Sequence, residues 1–237
     1  MRRAGQVVRE VLELVRSRVK PGATTLDLEK TAEARLAELG VKAAFKGYHG
    51  YPCVLCTSVN SEVVHGIPSP KRVLKEGDIV SLDFGAVVDG YFGDAAITVP
   101  VGEKIDPETA RLLKVTEASL HAAIEVVRPG ATLGDVGFAV QKVVEAEGFS
   151  VVRDFVGHGI GVHMHEDPQV PNFGQAGRGM KLRKGMVIAI EPMVNAGKAD
   201  VVVLGDGWTA VTVDGSMSAH FEHSVAVTAT GARILTE

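Results

Sequence analysis

The chain has 237 residues, of which 46% are hydrophobic and 23% are charged, so it is long enough to bury a sizeable core. Its net charge of −4 and the lack of a sustained run of lysine and arginine argue against nucleic acid as the main partner. No apolar stretch reaches the roughly 18 residues of a membrane span, and only two cysteines are present, which predicts a cytoplasmic protein without signal peptide or anchor.

The first half of the chain predicts two helices followed by strands. Apolar residues at helical spacing indicate one helix over Gln6 to Arg18 and a second over Thr25 to Gly40. Valine, isoleucine and threonine are frequent in residues 51–65 and 73–101, which is typical of strands and hairpins.

A tight turn is expected inside the second of these strand regions. Asp89-Gly90 is a dipeptide typical of two-residue hairpins, and it lies between Asp83 and Asp94. If the two arms pair as antiparallel strands, both carboxylates can project from the same face of the sheet.

The second half repeats this order of elements. Helices are predicted over Pro107 to Val127 and over Leu133 to Glu147. Short β-branched segments then predict strands over Val151 to Val162, Met186 to Pro192, Val201 to Leu204, Thr209 to Val213 and His223 to Thr228. Two helices followed by strands, twice over, indicate an α+β fold.

The two halves also share sequence. Val19-Lys20-Pro21-Gly22-Ala23-Thr24 returns as Val127-Arg128-Pro129-Gly130-Ala131-Thr132, an offset of 129 − 21 = 108 residues. At the same offset, the apolar run that ends at Asp83 overlays the run that ends at Glu191. We therefore expect a single catalytic domain over residues 1–237, made of related halves at approximately 1–105 and 106–237. Two acids brought together by such halves need a cation or a proton.

The candidates for a metal site are four carboxylates and one imidazole: Asp83, Asp94, Glu191, Glu222 and His158. His158 lies between two glycines, which leave its ring unobstructed. Four negative charges are balanced by two divalent cations, and two such ions about 3.5–4 Å apart can activate a water for hydrolysis. Taken singly, each acid is more often a turn or surface residue, so this hypothesis depends on the whole set.

Other chemically capable residues give weaker signals. His65 and His165 lie beside these segments, but either one alone is more often a structural or surface histidine. Cys53 and Cys56 form a C-x-x-C motif without a second pair, so packing near a pocket is favoured over metal or redox use. The glycines of 157–161 match no phosphate-binding pattern.

The order and spacing of these motifs resemble those of the type I methionine aminopeptidases. The resemblance runs from about Met1 to Thr228 and rests on Tyr48-His49-Gly50-Tyr51-Pro52, Asn60, Val63-Val64-His65-Gly66-Ile67-Pro68, Asp83, Asp94, Gly157-His158-Gly159-Ile160-Gly161, His165-Glu166-Asp167-Pro168, Ile190-Glu191-Pro192 and Phe221-Glu222-His223. It implies the pita-bread fold, an α+β arrangement with a pseudo-two-fold duplication and a curved antiparallel sheet covered by helices.

The resemblance also implies a role for each residue of the candidate site. Asp83 would chelate one metal ion, Asp94 and Glu222 would bridge both ions, and His158 with Glu191 would complete the other. Glu191 would also move the proton of the attacking water, and His165 and His65 would donate hydrogen bonds to the peptide carbonyl or its oxyanion. Cobalt, manganese, iron or zinc could serve as the two divalent ions.

A specificity pocket for methionine is implied as well. Its residues would be Phe45, Tyr48, Tyr51, Cys56, Met164 and Trp208, together with His65 and His165. A thioether suits such an apolar and partly aromatic lining. Relatives can carry a cysteine where this chain has Phe45 and a phenylalanine where it has Met164, so the pocket shape is less determined than the metal chemistry.

The predicted function is removal of the initiator methionine from nascent chains whose second residue is small. The implied partners are nascent polypeptide N-termini and, by family analogy, the ribosome, with no membrane and no nucleic-acid specificity; a monomer is expected. One alternative is a proline-directed peptidase of the same fold, which generally carries an extra N-terminal domain. Another is a non-catalytic peptide-binding relative, which would be expected to lose metal ligands.

Two departures from the family pattern are visible. Relatives usually have about a dozen residues before the position of Met1, so either the start of this sequence is trimmed or the chain lacks an N-terminal strap. His163 adds an imidazole two positions before His165.

Overall fold

The computed structural model describes residues 1–237. The helices are α1 (Arg2–Arg16), α2 (Thr25–Leu39), α3 (Pro107–Val126) and α4 (Leu133–Ala146), with a short 3-10 turn at Tyr48–Gly50. The strands are β1 (Lys42–Ala43), β2 (Leu55–Val59), β3 (Glu62–Val64), β4 (Ile79–Val88), β5 (Tyr91–Pro100), β6 (Ser150–Val151), β7 (Gly157–Gly159), β8 (Glu166–Val170), β9 (Val187–Ile190), β10 (Met193–Asn195), β11 (Val201–Val203), β12 (Ala210–Thr212), β13 (Ser218–His220), β14 (Glu222–Thr228) and β15 (Gly231–Ile234). None of the helices is long and apolar enough to cross a membrane.

Local sequence explains where three of the helices begin. Thr24 and Asp27 form a capping box at the start of α2, and Thr132 and Asp135 form the same box at the start of α4. Asp106 caps α3 and is followed by proline at the first helical position.

The first helix begins earlier than predicted, at Arg2 instead of Gln6. Ala4 and Gly5 are buried, and a Cβ on Gly5 would lie only 2.1 Å from the carbonyl oxygen of Leu235. The small residues Ala4 and Gly5 let the first turn of the helix pack closely against the C-terminal segment. The sequence prediction missed this turn because it relied on large apolar side chains.

One antiparallel sheet of nine strands carries both halves of the chain. Its main path runs β1, β4, β5, β14, β9, β7 and β8, while β2 also pairs with β4 and β15 pairs with β14. The β4–β5 hairpin turns at Asp89 and Gly90, both with positive φ, as the sequence predicts. The halves meet where β5 pairs with β14, and this junction positions the site.

Two hydrophobic cores correspond to the two halves. One contains α1, α2 and the inner residues of β4 and β5, with Leu28, Leu82 and Phe84 fully buried. The other is built from α3, α4 and the second-half strands, and Ile79 is its only buried member from the first half. Ile97 packs against both cores.

The repeat seen in the sequence is also present in the hydrogen bonds. Gly22 donates to the carbonyl of Leu74, and Gly130 donates to that of Leu182, 108 residues later in both cases. An isolated bridge joins Thr24 to Val73, and its counterpart joins Thr132 to Lys181. The predicted α+β class, with a duplicated antiparallel sheet and helices packed on it, is confirmed.

Several strands differ from prediction. The single strand expected over Val151 to Val162 is wrong, because only Ser150–Val151 and Gly157–Gly159 pair, and they belong to different sheets. Strands β1, β8, β10, β13 and β15 were not predicted. Each has five residues or fewer, which is too short for a readable alternation of apolar and polar side chains.

Candidate metal centre and substrate pocket

The β4–β5 hairpin brings the first two acids together. Asp83 pairs with Ala96 and Asp94 pairs with Gly85, so the two carboxylates occupy diagonal positions of one face. This is the arrangement that the turn at Asp89-Gly90 predicts.

The second half supplies the other three candidate ligands from neighbouring strands. Glu222 begins β14 and pairs with Ala96 of β5. Glu191 directly follows β9, one residue beyond the pair between Ile190 and His223, and is therefore next to Glu222. His158 lies in the middle of β7, paired with Ala189 of β9.

The distances define a compact cluster around His158. Ligand atoms of Asp94, His158 and Glu222 all lie within 4.8 Å of one another. The Nε2 atom of His158 is 3.6 Å from Glu191 Oε1 and 4.0 Å from Asp94 Oδ2. Its Nδ1 lies 2.8 Å from the carbonyl oxygen of Gly159. This bond fixes the tautomer that leaves Nε2 free as a ligand.

Three of the four carboxylates have a buried oxygen without a protein partner, as expected for a site that takes up cations. Asp83 Oδ1, Asp94 Oδ1 and Glu222 Oε1 are buried without a hydrogen bond. Burial raises the pKa of Asp83 to about 7. Burial also raises the pKa values of Asp94, Glu191 and Glu222, and the repulsion between neighbouring carboxylates adds to it. No lysine or arginine side chain lines the cavity around these acids, so the negative charge of the cluster fits divalent cations.

Two further imidazoles lie beside the acids. The ring of His165 is 4.3 Å from that of His158, and its Nδ1 lies 2.7 Å from the hydroxyl of Tyr48. His65 has a φ of 61° and packs edge-on against Phe155 and Trp208. Burial, followed by the charge of His165, lowers the pKa of His65 to about 4; burial and His49 lower the pKa of His165. Both rings are therefore neutral near pH 7 and can donate one hydrogen bond each.

The acid cluster and a group of apolar and aromatic side chains line one cavity of about 250 Å³. All the residues predicted for the metal site and the substrate pocket line this single cavity, and His49 completes its lining: Phe45, Tyr48, His49, Tyr51, Cys56, His65, Asp83, Asp94, His158, Met164, His165, Glu191, Trp208 and Glu222. The structure thus brings the predicted residues together, while the role of each stays a prediction. Cys53 is half-buried and lies outside this lining, and Cys56 is buried as a free thiol.

Three residues at the site were not predicted. His49 lies at the exposed rim with a φ of 48°. The side-chain amide of Asn172 donates to the backbone carbonyl of Glu191, at 3.0 Å. His220 is buried, and its Nε2 is 3.8 Å from Glu191 Oε2. Asn172 lies in a loop and His220 ends β13, and neither position carries a local sequence signal of its contact with Glu191.

Comparisons with known proteins agree with this geometry. Metallopeptidase family M24 matches residues 1–229. A methionine aminopeptidase of Clostridium acetobutylicum is 51% identical over 236 residues, which cover 100% of this chain and 94% of that protein. The crystal structure of methionine aminopeptidase from Thermotoga maritima has a TM-score of 0.98 and 53% identity, covering 100% of this chain and 95% of that one.

A more distant structure shows how widely the fold is shared. The prolidase from Pyrococcus horikoshii has a TM-score of 0.78 at 21% identity, covering 100% of this chain and 60% of that one, and it shows the fold alone. The pita-bread fold expected from the resemblance is confirmed by both structures. The chain belongs to metallopeptidase family M24 and, within it, to the methionine aminopeptidases, and it is therefore a metallo-aminopeptidase.

Proposed function

We propose that this enzyme removes the N-terminal methionine from nascent proteins and peptides whose second residue is small. The observation that carries the proposal is a single cavity of about 250 Å³, lined both by buried carboxylates with unpartnered oxygens and by apolar and aromatic side chains. Such a site can hold cations beside a space that suits one unbranched thioether side chain.

We further propose that two divalent ions, of cobalt, manganese, iron or zinc, are held here by Asp83, Asp94, His158, Glu191 and Glu222. The support is the donor set, which combines four carboxylates with one imidazole, and the unpartnered oxygens among them. When bound, such ions polarise a carbonyl and lower the pKa of water.

The pocket residues would bind and orient the substrate. Phe45, Tyr51, Met164 and Trp208 offer apolar and aromatic contacts to the methionine side chain. The single proton of the Tyr51 hydroxyl is shared between the carbonyls of Leu55 and Gly66, at 3.2 and 3.1 Å, so its ring is fixed as one wall. Tyr48 and Cys56 complete the lining on the same side.

The remaining polar residues would act on the scissile bond. The Nδ1 atom of His165 is occupied by Tyr48, which leaves Nε2 to donate to the substrate carbonyl as negative charge develops there. His65 would donate a second hydrogen bond on the same side. Glu191, whose pKa is raised by burial and by Asp94, would take the proton of the attacking water and pass it to the leaving nitrogen.

The two alternative functions are less well supported. A proline-directed peptidase shares the fold, but sequence identity is 21% to the prolidase and 51% to a methionine aminopeptidase. A non-catalytic peptide-binding protein would have no need for this cluster of unpartnered carboxylates.

We also propose that residues 1–237 act as one catalytic domain, since one sheet spans both halves. By family analogy, the enzyme works as a cytoplasmic monomer near the ribosome.

A peptide assay tests this function directly. The purified protein is freed of metal with a chelator, and hydrolysis of Met-Gly-Met is measured before and after Mn²⁺ or Co²⁺ is restored. Leu-Gly-Met and a peptide with proline in second position serve as controls. We expect metal-dependent cleavage of Met-Gly-Met and little cleavage of the Leu-first peptide. Activity that survives complete chelation would contradict the two-metal proposal, and a preference for proline in second position would support the alternative.

A further inference from the structure

His220 is a buried histidine that the mechanism does not use. Its side chain is 2% exposed, and neither ring nitrogen has a hydrogen-bond partner. An imidazole in any charge state carries at least one N–H group, and burying such a donor without a partner costs free energy. A buried polar ring of this kind requires an explanation.

The nearest acidic group explains where the ring is directed. The Nε2 atom of His220 lies 3.8 Å from Glu191 Oε2, while Glu191 Oε1 lies 3.6 Å from Nε2 of His158. The two imidazoles therefore flank one carboxylate, with one ring beside each oxygen. Closing the gap between His220 and Oε2 to hydrogen-bond distance requires a shift of only about 0.8 Å.

The backbone of His220 is held firmly enough to direct its ring. Its N–H donates to Thr98 Oγ1 at 2.9 Å, and its carbonyl accepts from the same hydroxyl at 2.7 Å. It also pairs with Met193 of β10. The side chain of Glu191 has no comparable support, because Asn172 holds only its backbone carbonyl.

We propose that His220 is a positioning residue for Glu191: its ring N–H donates to Glu191 Oε2 and keeps Oε1 directed toward His158 and the proposed metal site. This inference rests on the proposed function, since it gives Glu191 an orientation that matters only if Glu191 binds a cation and moves a proton. Hydrogen bonds to ligating carboxylates commonly fix their orientation in this way.

Three substitutions at one position test the proposal. His220→Gln keeps an N–H donor at similar reach, His220→Asn carries the same amide on a side chain one CH₂ shorter, and His220→Leu removes the donor. Val140→Ala is a matched control, because Val140 is a fully buried core residue of α4 outside the pocket. Each protein is freed of metal and titrated with Mn²⁺ by calorimetry, and kcat and KM are measured on Met-Gly-Met alongside thermal unfolding.

We expect His220→Leu and His220→Asn to bind Mn²⁺ about tenfold more weakly and to lower kcat by about tenfold or more, with KM little changed. His220→Gln should restore both quantities to near wild-type values, and Val140→Ala should lower the melting temperature alone. Equal behaviour of the folded Gln and Asn variants, or a Leu variant that matches the wild type, would overturn the positioning role. A wild-type protein that binds no Mn²⁺ would overturn the proposed function as well.

Discussion

The two halves of the molecule contribute to the candidate site in different ways. The first half supplies Asp83 and Asp94 from one continuous hairpin of two ten-residue strands. The second half supplies His158, Glu191 and Glu222 from or beside three separate short strands. The capping boxes of α2 and α4 and the isolated bridges beside them are alike in the two halves, while the positions that carry ligands differ.

The strand registers show which positions diverged. In the first half, Asp83 of β4 faces Ala96 of β5. In the second half, Glu191 is the counterpart of Asp83, and the register of β9 and β14 would pair it with Glu222. Ala96 and Glu222 are therefore equivalent positions of the repeat. Two residues earlier in the chain, the equivalent pair is Asp94, in β5, and His220, the last residue of β13. Each half thus places one acid on its inner strand, but at a different position. The duplication gave a symmetric frame, and the ligand set within it is asymmetric.

The largest expected effect tests whether the two inner-strand acids matter equally. Asp94→Asn and Glu222→Gln each remove one negative charge from the cluster around His158. We expect each to lower kcat/KM on Met-Gly-Met by more than about a hundredfold, beyond the range typical of residues that only support ligands. Asp89→Asn, in the exposed turn of the same hairpin, is the control and should retain full activity. Near-normal turnover in either cluster variant would contradict its assignment as a bridging ligand.

Glu191 and Asp83 occupy the same position of the repeat but are assigned different roles. Glu191→Gln should lower kcat by about 10²–10⁴-fold, because it removes the group proposed to move the proton. Asp83→Asn should act mainly through weaker Mn²⁺ binding and recover part of its activity at high metal concentration. Calorimetric titration and kinetics at several Mn²⁺ concentrations separate the two. An identical response of both variants would show that the halves are functionally symmetric at this position.

The two histidines beside the acids also come from different halves. His165→Ala should lower kcat by about 10²–10³-fold while the protein stays folded, as expected for loss of a donor to developing negative charge. His65→Ala should show a smaller loss, because His65 has no hydrogen-bond partner that orients its ring. Tyr48→Phe should lower kcat by less than His165→Ala, because it removes only the bond that orients His165. If Tyr48→Phe has the larger effect, Tyr48 itself acts on the substrate.

Charge at the junction of the halves should make the metal-free protein sensitive to pH. Burial raises the pKa of Asp83 from its ordinary 3.8 to about 7 and raises those of Asp94 and Glu222. At pH values between the ordinary and the raised pKa of these acids, the folded state binds more protons than the unfolded state. The free energy of unfolding therefore falls as pH rises from about 4 through 7. We expect the melting temperature of chelated protein to fall over this window, and Mn²⁺ to reduce the fall. At pH 7, Glu222→Gln should raise the melting temperature of the metal-free protein by a few degrees.

Sequence alone predicted the parts of the site that depend on local signals. The turn at Asp89-Gly90 predicted that Asp83 and Asp94 share a face, and they do. The internal repeat predicted that Glu191 is the counterpart of Asp83 and that the two halves bring these acids together. The substrate pocket followed only from the family resemblance, because its walls come from segments far apart in the chain. Asn172 and His220 were not predicted because each is part of the site only through its contact with Glu191. These contacts span 19 and 29 residues of the chain, and no local sequence pattern indicates them.

The smallest effect concerns the capping boxes, where the halves are most alike. Thr24→Ala and Thr132→Ala should each destabilise the protein by about 1 kcal/mol, measured by urea unfolding. Asp135→Ala should lower the urea midpoint more than Asp27→Ala, because Asp135 also accepts from the backbone N–H of Gly177. Hydrogen bonds lower the pKa of both carboxylates, so their contribution is present above their ordinary pKa and is lost as pH falls through the lowered value. Equal effects of the two aspartate substitutions would show that the bond to Gly177 adds no stability and that the duplicated caps are equivalent.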